Sequence, residues 1–189
     1  MKIVHGTSEK ALESILEHGL VTPEDRPWSE IRTDWGECPS RDDCVYVTTT
    51  YASLFASAAS IGELGRWAFI EVDLSELADH LVLPDEDFME QATRTYIGRE
   101  DEAPFEVPPE GLGMEERTAW FKERLPRYWP WSEKSIEMMG NAAYRGTIGV
   151  EHFTRVTLFD ATSAPAMAIM AMDSQVSILN HLVCSSRYQ

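Results

Sequence analysis

The side chains of this chain that could do chemistry are five histidines, three cysteines and a large excess of carboxylates. Their spacing excludes much. His5, His18, His80, His152 and His181 stand apart, and no His-Glu-x-x-His is present, so no helix face offers two imidazoles to a zinc ion. Cys38, Cys44 and Cys184 form no Cys-x-x-Cys. An odd count does not suit a disulfide framework, and no metal is expected. A Gly-rich phosphate loop and a nucleophile elbow are both missing, which removes the common kinase and hydrolase readings. What remains is His5-Gly6-Thr7, at an expected corner between strand and helix. Gly6 has no side chain to hold a ligand off the backbone, and His5 can hydrogen-bond a sugar hydroxyl. A second stretch, Val45-Tyr46-Val47-Thr48-Thr49, offers an aromatic ring that can stack on a flat heterocycle. Each residue also has a plainer reading: the histidine as a structural strand end, the tyrosine as core.

The elements that must position these residues follow from periodicity and punctuation. Lys2 to His5 reads as a strand. Thr7 or Ser8 can cap a helix to about His18, with Ala11, Leu12, Ile15 and Leu16 on one face and Gly19 at its end. Residues 23–43 have no steady period and read as a long loop, in which Trp28 and Trp35 could close over a bound ring. Cys44 to Thr49 is a second strand, followed by a helix of small residues from Tyr51 to about Ile61. Arg66 to Leu74 is apolar on both sides near its middle, as in a central strand. Helices are expected over Asp85–Ile97, Met114–Leu125 and Ser132–Met139, with an acidic, turn-rich linker over 100–113. Strands return at Ala142–Ile148 and Thr154–Ala161, and an apolar tail follows Pro165. Strands at both ends with helices between them predict one α+β domain over 1–189, carrying an acidic helical insertion at about 76–131.

Taken together, these segments resemble the ADP-ribosyltransferase superfamily of the diphtheria-toxin and poly-ADP-ribose polymerase type. The resemblance lies in HGT before a helix ending Glu-His-Gly-Leu, in VYVTTTYASLFASAA, and in Ala143–Ile148 with Glu151–Val156. It covers roughly residues 1–75 and 132–162. It implies split antiparallel β-sheets with an NAD cleft, NAD serving as substrate. It also implies that His5 binds ribose hydroxyls, Gly6 and Thr7 line the cleft, and Tyr46 stacks on nicotinamide with Tyr51 or Phe55 as the second face, Thr48 supporting the site. The family's glutamate before the Gly-x-Ile turn corresponds here to Asn141, with Glu133 and Glu137 nearby on the preceding helix. The catalytic candidates are thus His5, Tyr46, Asn141 and Glu137. The implied activity is cleavage of the nicotinamide–ribose bond and transfer of ADP-ribose to a macromolecule. Two alternatives use the same scaffold. One is a weak or inactive nucleotide-binding module or acidic inhibitor, motivated by Asn141. The other is an NAD-dependent RNA 2′-phosphotransferase, with Arg145 and Arg155 as phosphate ligands.

Charge narrows the partners. The net charge is −16, and residues 71–110 hold 13 acidic side chains against Arg94 and Arg99 alone. Such a surface repels phosphates, which makes nucleic acid an unlikely partner and leaves a protein acceptor or a basic protein. The plain reading of the acidic stretch is a solvated face. The N-terminus lacks a signal-like apolar stretch and the longest apolar run, Ala164–Met172, is short of a membrane span. No membrane partner and a cytoplasmic location are therefore expected.

Overall fold

The computed structural model describes residues 1–26, 40–60 and 66–160. The loop tryptophans, Cys38, Cys184 and the apolar tail lie outside the described residues. The fold is α+β. Its strands are β1 (Lys2–Ser8), β2 (Cys44–Thr48), β3 (Arg66–Asp73), β4 (Val82–Pro84), β5 (Asn141–Arg145) and β6 (Phe153–Asp160). Its helices are α1 (Glu9–His18), α2 (Ala52–Ala59), α3 (Glu86–Arg94), α4 (Met114–Arg124) and α5 (Ser132–Met139). The strands form one antiparallel sheet in the order β4-β5-β2-β1-β3-β6.

Two expectations about β1 change. The strand runs through Ser8, because every residue from Lys2 to Ser8 pairs with β3, from Lys2↔Asp73 to Ser8↔Trp67. His5-Gly6-Thr7 therefore lies inside a strand, and the corner comes later. Ser8 is the extended residue before α1, but its side chain makes no capping bond. Gly19 does end the helix, with φ of 84° and its N–H bonded to the Ile15 carbonyl, a backbone region where glycine is favoured.

Two separate sheets were expected, and a single sheet is found. Its two three-stranded halves meet at one residue pair, Val4↔Thr48, between β1 and β2. The seven-pair ladder between β1 and β3 makes that junction a seam. The acidic middle also differs from a purely helical insertion. Val82–Pro84 adds an edge strand to β5, with Pro84 opposite Ala142; an edge is where a residue without an N–H is tolerated. The stretch is not uniformly a solvated face either. Glu86 and Glu90 are buried, Glu90 accepting from Arg94 and Arg117.

The two faces of the sheet pack differently. One face carries a single apolar cluster that crosses the seam, from Ile3, Ala68, Ile70 and Val72 to Val45, Val47 and Ala142, closed by Leu12, Leu20 and Ile148. The other face carries two separate clusters. Ala56 of α2 and Trp67 form one, with Phe69 and Phe159 against them. Cys44, Leu83, Phe88, Met89, Phe121, Leu125 and Ala143 form the other, under α3, α4 and the aromatic 3-10 turn at Leu125–Trp131.

Candidate functional site

The seam is where the residues singled out by the sequence meet. Side chains alternate along a strand. With Val4 opposite Thr48, alternation places Gly6, Tyr46 and Thr48 on the face with two clusters, and His5 with Ile3 on the other. His5 and Tyr46 are joined all the same. The imidazole reaches across the seam, its Nδ1 at 2.9 Å from the Tyr46 carbonyl oxygen. A carbonyl only accepts, so Nδ1 carries the proton and Nε2 is left with its lone pair. Burial pulls the His5 pKa down to about 4, aided by the Arg26 charge and opposed by the bond to Tyr46. The ring is neutral at physiological pH, with an acceptor nitrogen remaining.

Gly6 answers first to packing. A Cβ there would lie 1.9 Å from the Ala52 carbonyl oxygen at the start of α2, so the glycine lets that helix sit directly on β1. Thr7 is buried within the β1–β3 ladder, opposite Ala68. Thr48 organises the turn into α2. Its hydroxyl donates to the Gly140 carbonyl at 2.8 Å and accepts from the Thr50 and Tyr51 amides at 3.0 and 2.9 Å. Tyr51 is buried at the foot of α2, and Phe55 is half-buried one turn on.

Tyr46 is half-buried and packs against the aromatic cluster. Its hydroxyl donates to Glu86, the first residue of α3, and accepts from the Arg41 amide at 2.7 Å. The Arg41 guanidinium bonds both oxygens of Asp43, at 2.7 and 2.6 Å, and donates to the Lys122 carbonyl of α4. Burial pushes the Tyr46 phenol far above its ordinary range, and the neighbouring Glu86 adds to this. Glu86 is itself raised by burial, although the bond from Tyr46 opposes the shift. Asp85 beside it is raised by burial and by the charges of Glu86 and Asp87. These are carboxyl groups held toward their neutral forms.

Compared with protein-family models, curated proteins and solved structures, the chain matches none. Its site is therefore read from geometry. Asn141 opens β5 directly opposite Thr48, on the face of Tyr46. Its Oδ1 is buried and has no hydrogen-bond partner among the described residues, an unusual state for a buried acceptor. Its backbone carbonyl accepts from Ser135 at 2.8 Å, and the Ser135 hydroxyl accepts from the Asp85 amide at 2.9 Å. Glu137 lies on α5 with an exposed carboxylate bonded to Lys134 at 3.1 Å. The two cations considered as phosphate ligands are both engaged: Arg145 with Asp43, Arg155 with Glu71.

Sequence reasoning missed Glu86 and Arg41. Glu86 stands in the run Pro-Asp-Glu-Asp, where an acidic residue at a helix start reads as a dipole partner in water. Only its reach back to Tyr46, forty positions earlier, makes it part of the site. Among the described residues no helix is long and apolar enough to cross a membrane.

Proposed function

We propose that the chain is an NAD-dependent ADP-ribosyltransferase whose substrate lies in the seam between β1 and β2, on the face where the two apolar clusters stand apart. The observation that carries this reading is the His5 bond to the Tyr46 carbonyl at the point where the β1–β2 ladder is reduced to one pair. It couples the histidine strand to the tyrosine strand while leaving a hydrogen-bond acceptor and a ring next to an incomplete ladder. In this reading the nicotinamide ring rests on Tyr46, and Gly6 contributes by letting α2 close down on β1 beside it. Asn141 Oδ1 accepts from a ribose hydroxyl, which would satisfy the orphaned amide oxygen. His5, whose side chain belongs to the opposite face, acts by holding the Tyr46 backbone carbonyl.

The reaction breaks the C–N bond between nicotinamide and ribose. Positive charge develops on the sugar, nicotinamide leaves, and a nucleophile of a protein acceptor takes the ribosyl carbon. The chain's contribution is to hold the dinucleotide in a reactive geometry and to place negative potential at the sugar. An amide oxygen supplies less of that potential than a carboxylate. Asn141 therefore favours a second reading, in which the cleft binds the nucleotide and turns it over slowly or not at all. The pairing of Arg145 and Arg155 with carboxylates favours either of these over an RNA phosphotransferase.

Titration with NAD by calorimetry, alongside release of nicotinamide, separates the readings. The transferase reading expects binding and release, both lost in His5→Ala. Asn141→Glu should raise the release rate about ten-fold by returning a charge to the sugar. Binding without release identifies the non-catalytic module, and no binding rejects the cleft.

A further inference from the structure

We infer that Glu86 is a positioning residue of the cleft, which anchors the hydroxyl end of the Tyr46 ring and so fixes where the ring lies. This rests on the NAD reading above and names a residue that the resemblance does not supply. Glu86 is buried and meets the Tyr46 hydroxyl as its acceptor. The Arg41 amide donates to the same oxygen at 2.7 Å. The oxygen lies on the ring's own flip axis and stays in place when the ring flips, but a phenol held by one donor and one acceptor cannot swing about its Cα–Cβ bond without losing both. Glu86 is itself fixed. It follows Asp85, whose amide donates to Ser135, and Ser135 donates in turn to the carbonyl of Asn141. The path Tyr46–Glu86–Asp85–Ser135–Asn141 therefore ties the ring to the strand end that carries the orphaned amide oxygen. The acidic middle of the chain contributes a side chain that orients the platform on which a flat base would stack.

Burying a carboxylate for packing alone is unfavourable. Its desolvation is offset only by a specific partner, and the tyrosine hydroxyl is that partner. Glu86 touches no reacting atom in this arrangement; it acts through Tyr46.

The test uses the full chain with tyrosine ring labels, in wild type, Glu86→Leu, Glu86→Gln, Tyr46→Phe and the Tyr46→Phe/Glu86→Leu double variant. NAD affinity is read by calorimetry, averaging about the Tyr46 χ1 bond by NMR, and folding by thermal unfolding. Glu86→Leu should weaken NAD binding about ten-fold and let the Tyr46 side chain average over χ1 rotamers. Glu86→Gln, which keeps an oxygen for the hydroxyl, should recover most of that loss. Tyr46→Phe should lose as much as Glu86→Leu, and the double variant no more than either single one. Unchanged NAD affinity in a folded Glu86→Leu protein, or additive losses in the double variant, would overturn the positioning role. If the wild type binds no NAD, the transferase reading fails separately. The claim about Glu86 is then decided by the ring: a single Tyr46 χ1 rotamer that becomes averaged in Glu86→Leu upholds it, and unchanged χ1 averaging overturns it.

Discussion

On one face of the sheet a continuous cluster joins Ile3 and Ile70 to Val47 and Ala142 across the seam. On the other face the Ala56–Trp67 pair and the Phe88–Phe121–Leu125 group stand apart. The first face holds two half-sheets in one orientation although a single residue pair links their backbones. The second face leaves the seam without a shared core, and this is the side to which Tyr46, Thr48 and Asn141 belong. A fold can keep a weak backbone junction open on one side if apolar packing secures the other. The difference also separates two kinds of chemistry. His5, on the cohesive side, is a base that burial keeps neutral. Glu86, under the helical layer, is an acid that burial pushes toward neutrality.

The contrast can be broken at its largest contributors first. Phe121 is fully buried in the cluster built by the acidic middle. Phe121→Ala should cost about 4 kcal/mol in urea unfolding, through lost burial and the cavity left behind. A much smaller loss would mean that this layer is an ornament on the sheet rather than part of its core. Gly6→Ala tests the opposite half. The added methyl would meet the Ala52 backbone oxygen at 1.9 Å, which requires α2 to move and should cost about 3 kcal/mol. Its chemical-shift changes should concentrate in β1 and α2 and spare α4.

A finer test uses pH, because the two titrating groups act in opposite directions. The His5 pKa falls from 6.5 to about 4 on folding. Its stabilisation is therefore present above pH 6.5 and lost as pH falls through about 4, with a ceiling of about 3 kcal/mol. Glu86 is raised above 4.5 on folding. Its contribution is present below that value and lost as pH rises through the elevated pKa. His5→Gln should flatten the acidic limb of the stability profile and leave the other limb in place. Glu86→Gln should flatten the fall in stability toward neutral pH. If one variant altered both limbs, the two faces would be coupled more tightly than the separate clusters imply.

Periodicity in the sequence was enough to locate most elements. Ser132–Met139 agrees end to end with the expected helix, and β2 and β3 differ by one residue. These segments carry their own signal: a run of strand formers between turn residues, or an apolar stripe ending in glycine. The three residues of β4 carry none, since Val-Leu-Pro becomes a strand only by meeting β5. The extension of β1 through Ser8 likewise comes from its partner, which supplies hydrogen bonds along the whole length.

The sequence by itself determined an α+β chain, its strong net negative charge, and a histidine strand and a tyrosine strand as the places to look for a site. The tertiary structure decided how they relate. It set the two strands side by side, joined them through an imidazole and a backbone carbonyl, and left Asn141 with an unused acceptor. It also brought Glu86 from the acidic middle to the Tyr46 hydroxyl. The physical reason is range. Periodicity and capping act over a few residues and are legible locally, whereas burial and hydrogen-bond partners are set by contacts forty or more positions apart.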